Sequence, residues 1–292
     1  MPSPRDIRRR IKSVKSTAQI TKAMQMVASS KMARAQQAAL NGRPFAAMAG
    51  DLIDHLVGDG GDYRHPLMDE RQVRKRGVIV VGTDKGLCGA LNANLFREIA
   101  KYDAATTEFI AAGKKAAQFL ARTRRKLVGE FTYHDTPAYS ECEAISKFAQ
   151  EMFLKGEVDA VDILYTRFVS TLSQRPEVRP LLPIGSVDQL RAEASGRGPE
   201  TALEQPHFDF LFEPDAVTVL DRLMVYLVDF RVAQVLLEAK ASEHSARMVA
   251  MKNATDNAHQ LVKDLTLEYN KIRQATITKE LLEISSAQMA LG

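Results

Sequence analysis

Residues 82–95, GTDKGLCGALNANL, gather the groups in this chain best suited to chemistry: Gly82, Gly86 and Gly89, with Asp84, Lys85 and the Cys88 thiol between them. A glycine-rich turn leading into a helix can cradle phosphate, because bare backbone amides converge on the anion and a lysine adds charge. The spacing argues against that use. No Gly-Lys-Ser/Thr completes a phosphate loop after Gly82, and no G-x-G-x-x-G occurs. The competing reading is that these glycines permit a tight turn and close helix packing. Asp84 and Lys85 read as an ion pair or as solvated loop charges, since no histidine or second carboxylate lies near them in sequence. Cys88 opens a helix and reads as a buried structural thiol, with mild reactivity as the alternative.

Other chemistry finds little support. The histidines at 55, 65, 134, 207, 244 and 259 are scattered, without metal-ligand spacing. Cys88 and Cys142 are too few for a disulfide framework and too far apart for a metal clip, which points to a reducing compartment. No catalytic residue, cofactor or metal is expected. No run of eighteen apolar residues occurs and the N-terminus lacks the apolar core of a signal peptide, so membrane association is expected only through a partner or a surface.

The elements that would position that turn emerge from the glycine and proline punctuation. Residues 5–41 and 215–291 contain neither, so two long helices are expected to bracket a compact middle. In the middle, strands are expected at 77–81, 107–111, 126–128, 160–168 and 177–182, and helices at 92–102, 114–122 and 140–155. The fold class is therefore α/β, on a mostly parallel sheet of about five strands. Expected boundaries are 1–57 for an N-terminal coiled-coil helix, 58–76 for a linker, 77–187 for the α/β domain, 188–213 for a loop or insertion, and 214–292 for a C-terminal coiled-coil helix. Pro44 either kinks or ends the first helix.

Alternate steps of three and four from Leu220 to Thr276 land on seventeen positions, thirteen of them apolar, which is the seam of a left-handed coiled coil. At 1.5 Å per residue the 77 residues 215–291 make a helix of roughly 115 Å. The N-terminal helix carries a weaker seam through Ile7, Ile11, Val14, Ala18, Thr21, Gln25, Ala28, Met32 and Ala35. His244 falls on the C-terminal seam, where a polar residue commonly sets register. If both helices leave the middle near residues 57 and 214, an antiparallel pair sets residues whose numbers sum to about 271 side by side, with Met24 near Met248 and Ile7 near Leu265. Beyond Ile272 the longer helix has no partner. Its Leu281, Leu282, Ile284, Met289 and Leu291 then call for an enclosing sleeve.

Charge is unevenly placed. Residues 1–50 hold ten Lys or Arg and one Asp, although the whole chain is only +4, so an acidic partner is expected. A nucleic-acid-binding coiled coil would use such an arm, but the chain has no Trp and the basic helix lacks interleaved aromatics, so no nucleic acid is expected.

ITKAMQMVASSKM, GTDKGLCGALNANLF, ARMVAMKNATDNA and YNKIRQATITKELLEI stand in the order in which the gamma subunit of the rotary F-type ATP synthase carries similar segments. The chain resembles that family over essentially its whole length, with residues 188–204 matching least. The resemblance implies a long antiparallel coiled coil of N- and C-terminal helices plus a central Rossmann-like α/β domain. It implies a non-catalytic central shaft, one copy per complex, inside the hexamer of alpha and beta subunits, with a foot on the epsilon subunit and the membrane c-ring. It places the chain peripherally on the cytoplasmic face of a bacterial inner membrane, or the matrix face of a mitochondrial one. By the same resemblance Arg8, Arg9, Lys22, Met24 and Arg34, with Arg273, Gln274 and Thr278, meet the catalytic subunits, and the tip with Leu281, Leu282 and Met289 turns in an apolar bearing. Arg8 and Arg9 also read as solvated charges, Met24 as seam packing, and Arg273 as a surface charge.

Overall fold

Ser3 and Asp6 open the first helix reciprocally: the Asp6 amide donates to Ser3 Oγ at 3.2 Å, while Asp6 Oδ2 accepts from the Ser3 hydroxyl at 2.7 Å. With Pro4 supplying a preset φ and no surplus amide, this is a strong helix start. The computed structural model describes residues 3–42, 48, 65–185, 213 and 215–291; for 216, 287 and 289–291 it describes the backbone only. Pro44 and nearly all of the 188–213 stretch lie outside these residues.

Two helices lack internal breakers, α1 (Pro4–Asn41) and the terminal α5 (Ala216–Leu291). Between them come β1 (Arg76–Val81), α2 (Leu91–Ile99), β2 (Thr107–Ala112), α3 (Lys114–Arg122), β3 (Leu127–Phe131), α4 (Tyr139–Leu154), β4 (Ala160–Phe168) and β5 (Gln174–Leu182), preceded by a short 3-10 turn at Pro66–Met68. The sheet order is β3-β2-β1-β4-β5. β1 pairs in parallel with β2 and β4, β2 with β3, and β5 closes the far edge antiparallel to β4. The expected mostly parallel five-stranded sheet is present.

Contacts divide the chain into two compact units. The larger, Ser30–Ala246, holds the sheet. Its buried strands sort by parity, as the period of two requires. Val78 and Val80 pack with Leu95 and Ile99 of α2 and Ala116 and Leu120 of α3. Ile79 and Val81 pack on the opposite face with Ile145, Ala149 and Phe153 of α4 and with Leu220, Met224 and Val228 of α5. The result is a three-layer α/β/α stack. Polar groups stitch the α4–α5 layer: the buried Asp229 accepts from Tyr139 Oη at 2.9 Å and from Gln150 Nε2 at 3.3 Å.

The smaller unit, Met1–Ser29 with Arg247–Gly292, consists of the facing ends of α1 and α5. Its burial follows the expected seams: Ile7, Ala18 and Ala28 on one helix, Met251, Thr255, Ala258 and Leu265 on the other. Thr21 Oγ1 and Thr255 Oγ1 lie 2.7 Å apart, so facing residue numbers sum to 276. In the larger unit Gly42 faces Gln234, the same sum. The expected register of about 271 is therefore corrected by about one helical turn.

Candidate functional site

The carboxyl ends of the parallel strands are where an open α/β sheet would hold a ligand. Here the loops at those ends converge on α5. Asp84 follows β1, Tyr133 and Asp135 follow β3, and Thr171 lies in the β4–β5 hairpin. Lys240 Nζ sits among them, 3.3 Å from Glu243 Oε2, 3.9 Å from Asp84 Oδ2 and 4.0 Å from Asp135 Oδ1, and 4.4 Å from the centroid of the Tyr133 ring. Lys240 is 2 % exposed and Glu243 4 %. A buried ammonium is tolerable only when paired in this way. His244 Nε2 lies 3.1 Å from Asp135 Oδ1, and Lys31 of α1 donates to Asp135 Oδ2 at 2.5 Å. Ser245 Oγ donates to the Thr171 carbonyl at 2.9 Å, and Gln174 Nε2 donates to Ser245 Oγ at 3.3 Å.

The electrostatics are consistent with an ionised, clamped carboxylate. Burial works to raise the Asp135 pKa, but the Lys31 hydrogen bond and the charges of His244, Lys31 and Lys240 outweigh it and hold the group below the usual carboxylate value. Burial, reinforced by Glu243, Asp84 and Asp135, pushes the Tyr133 phenol well up, so the ring stays neutral beneath the Lys240 ammonium.

The glycine-rich turn belongs to the same edge and serves packing. Thr83 Oγ1 donates to the Lys85 carbonyl at 2.8 Å and accepts from Asn92 Nδ2 at 2.7 Å, which closes the turn on itself. A Cβ on Gly82 would stand 2.9 Å from Ala116 Cβ, and Gly113, with φ of 105°, abuts the Gly82 carbonyl. Asp84 Oδ1 accepts the Lys114 amide at 3.0 Å, holding the first turn of α3. Asp84 is thus a helix-start acceptor facing Lys240, rather than a solvated charge. Cys88 is 3 % exposed, as a structural thiol would be, and burial, first among several causes, lifts the Cys142 thiol to about 11, so Cys142 offers no ready thiolate. Among the described residues no cluster of His, Cys, Asp or Glu could hold a metal ion.

The sequence-selected contact residues lie elsewhere. In the smaller unit Arg8, Arg9, Lys22, Arg273, Gln274, Thr278, Leu281 and Leu282 are exposed, while Met24 is half-buried. Lys22 Nζ donates to its neighbour Gln25 Oε1 at 3.4 Å, and Thr278 Oγ1 donates to the Gln274 carbonyl at 2.9 Å. Arg34 is exposed in the larger unit, and the Met289 side chain lies outside the described residues. Every residue from 273 to 286 is exposed, so the seam stops at Ile272 as expected. Sequence reasoning missed the Lys31–Asp135–Lys240 cluster. Its one legible sign was His244 on an apolar seam.

The family model described as ATP synthase matches residues 3–291. The ATP synthase gamma chain of Opitutus terrae is 47% identical over 292 residues, covering 99% of each chain, and that of Methylacidiphilum infernorum is 44% identical over 297 residues, covering 100% of each. The fold is also that of a chain in the Euglena gracilis mitochondrial ATP synthase rotor, with a TM-score of 0.63 at 21% identity over 94% of this chain and 98% of that one. A chain of the Tetrahymena thermophila mitochondrial ATP synthase central stalk/c-ring structure matches with a TM-score of 0.58 at 23% identity, over 80% and 99%. With its full length matched at such identity, the chain belongs to the ATP synthase gamma chain family.

Proposed function

We propose that this chain is the central rotor shaft of an F-type ATP synthase, coupling rotation of a membrane c-ring to the conformational cycle of the catalytic beta subunits. The observation that carries the reading is the change in α5 at Ile272. Up to that point the paired end of α5 buries Met251, Thr255, Ala258 and Leu265 and half-buries Tyr269 and Ile272; beyond it Ile277, Leu281, Leu282 and Ile284 are 47 to 65 % exposed. An apolar helix end of this kind is an aggregation hazard in water and a serviceable bearing inside an apolar collar, because apolar contact is non-directional and permits turning.

The reading makes the chain a mechanical subunit without catalytic residues or cofactor. The carboxyl ends of the strands support this, since the buried Lys240 stands there among Asp84, Asp135 and Glu243. Arg8, Arg9, Lys22, Met24, Arg34, Arg273, Gln274 and Thr278 then face the alpha and beta subunits, and Leu281, Leu282 and Met289 sit in the bearing. The α/β layer stands with the epsilon subunit on the c-ring. One copy serves each complex, held peripherally at the cytoplasmic face of a bacterial inner membrane or its mitochondrial equivalent. No described helix is long and apolar enough to cross a membrane.

Reconstitution tests the assignment. Alpha and beta subunits combined with this chain should hydrolyse ATP faster than the same subunits without it, and should pump protons when the membrane sector is added. Equal hydrolysis with and without the chain would sink the reading.

A further inference from the structure

Seven consecutive residues of α5, 239–245, are all buried, from Ala239 at 7 % to Ser242 and Ser245 at 0 %. A helix on a protein surface buries one stripe; one buried all round is enclosed. The small side chains of Ala239, Ala241, Ser242 and Ser245 let the surrounding elements come close. Within the Ser30–Ala246 unit, Asp135 is where three of those elements meet. Its Oδ2 accepts from Lys31 of α1 at 2.5 Å, its Oδ1 lies 3.1 Å from His244 and 4.0 Å from Lys240 of α5, and its own backbone belongs to the β3–α4 loop.

Apolar packing around a helix is non-directional and resists rotation of that helix weakly. Charge-assisted hydrogen bonds are directional and strong for their number. We propose that Asp135 is a positioning residue for torque transmission, fixing the azimuth of α1 and α5, where they run through the Ser30–Ala246 unit, against the α/β layer so that torque passes between the layer and these helical stretches. Asp84 plays the lesser part: it meets α5 through Lys240 at 3.9 Å, against the 3.1 Å between Asp135 and His244, and it is also engaged with the Lys114 amide. The inference rests on the shaft reading and adds to it the joint that stiffens the shaft.

The test uses the assembled complex with the catalytic hexamer immobilised and a probe attached through Lys155→Cys, an exposed site at the end of α4; both native thiols are buried. With the catalytic sites locked in one state, angular fluctuation of the probe reports torsional stiffness. Asp135→Asn keeps the shape and removes the charge, and Lys31→Gln cuts only the α1 arm. Both should broaden the fluctuation relative to the parent, with Lys31→Gln the smaller effect, while Asp135→Glu should restore much of the stiffness. A parent-like width in both Asp135→Asn and Lys31→Gln would overturn the proposal. A parent complex whose probe never rotates on ATP addition would instead remove the shaft reading beneath it.

Discussion

Thr21 and Thr255 form a polar rung in the paired ends of α1 and α5, their hydroxyl oxygens 2.7 Å apart among the buried seam residues Ile7, Ala18, Ala28, Met251, Ala258 and Leu265. Thr255 Oγ1 also lies 2.8 Å from the Met251 carbonyl, and Thr21 Oγ1 lies 3.1 Å from the Ala18 carbonyl. The rung distinguishes one register from others that would also set apolar against apolar, as a polar residue at a seam position does in coiled coils.

Replacing Thr21→Val should cost about 1 kcal/mol, the net worth of one hydrogen bond, because Thr255 keeps its own helix carbonyl as a partner. Thr21→Val with Thr255→Val should cost less than the sum of the two single changes. A double-mutant cycle on urea midpoints reads this, and strict additivity would show that the rung carries no coupling.

Gly113 is the most demanding glycine of the sheet edge. Its φ of 105° suits no L side chain, and a Cβ there would collide with the Gly82 carbonyl. Gly113→Ala should therefore destabilise the α/β layer by at least about 2 kcal/mol. Gly86 has open space around the position of a Cβ and no positive φ, so Gly86→Ala should stay within about 0.5 kcal/mol of the parent. Thermal unfolding of the two variants side by side measures the contrast.

The depressed pKa of Asp135 gives acid stability a definite sign. Its pKa in the folded chain lies below the ordinary value of 3.8, so the carboxylate binds fewer protons folded than unfolded. Its contribution is then fully present above that value and fades as pH falls through the lower, folded one. Asp135→Asn should lower stability at neutral pH and flatten this acid limb in urea midpoints measured at falling pH. An acid limb as steep as the parent's would assign the limb to other carboxylates.

Arg273 lies one residue past the end of the seam and is exposed. Arg273→Glu should leave unfolding within about 0.5 kcal/mol of the parent, while impairing coupled proton pumping in the complex. Ending the chain after Ile272 should spare the paired helices and assembly but weaken torque. An unfolded Arg273→Glu product, or complete loss of assembly on truncation, would mean that residues beyond Ile272 support the pair itself.

The elements were legible in the sequence because their signals are local. The seam from Leu220 to Ile272, the α3 and β4 boundaries, and the end of burial after Ile272 all follow from periods of 3.5 or two and from Gly and Pro punctuation. Register was not legible. It depends on where each helix leaves the α/β layer, and a shift of about one turn brings seam back onto seam, so periodicity alone leaves neighbouring registers nearly equivalent. The charged joint was hidden for a different reason. Lys31 stands 104 residues from Asp135, and Asp135 109 from His244, so no window of sequence contains the pair.

Composition and pattern by themselves determined two breaker-free helices around a parallel sheet, a glycine turn lacking the spacing of a phosphate loop, and an apolar helix end in need of a sleeve. Tertiary structure alone decided that the carboxyl edge of the sheet closes on Lys240, that Asp135 joins α1 to α5, and that facing residues sum to 276. The division has one physical origin. Secondary structure is set by neighbours along the chain, whereas a buried charge acquires its partners only when the folded backbone carries distant side chains within hydrogen-bonding reach.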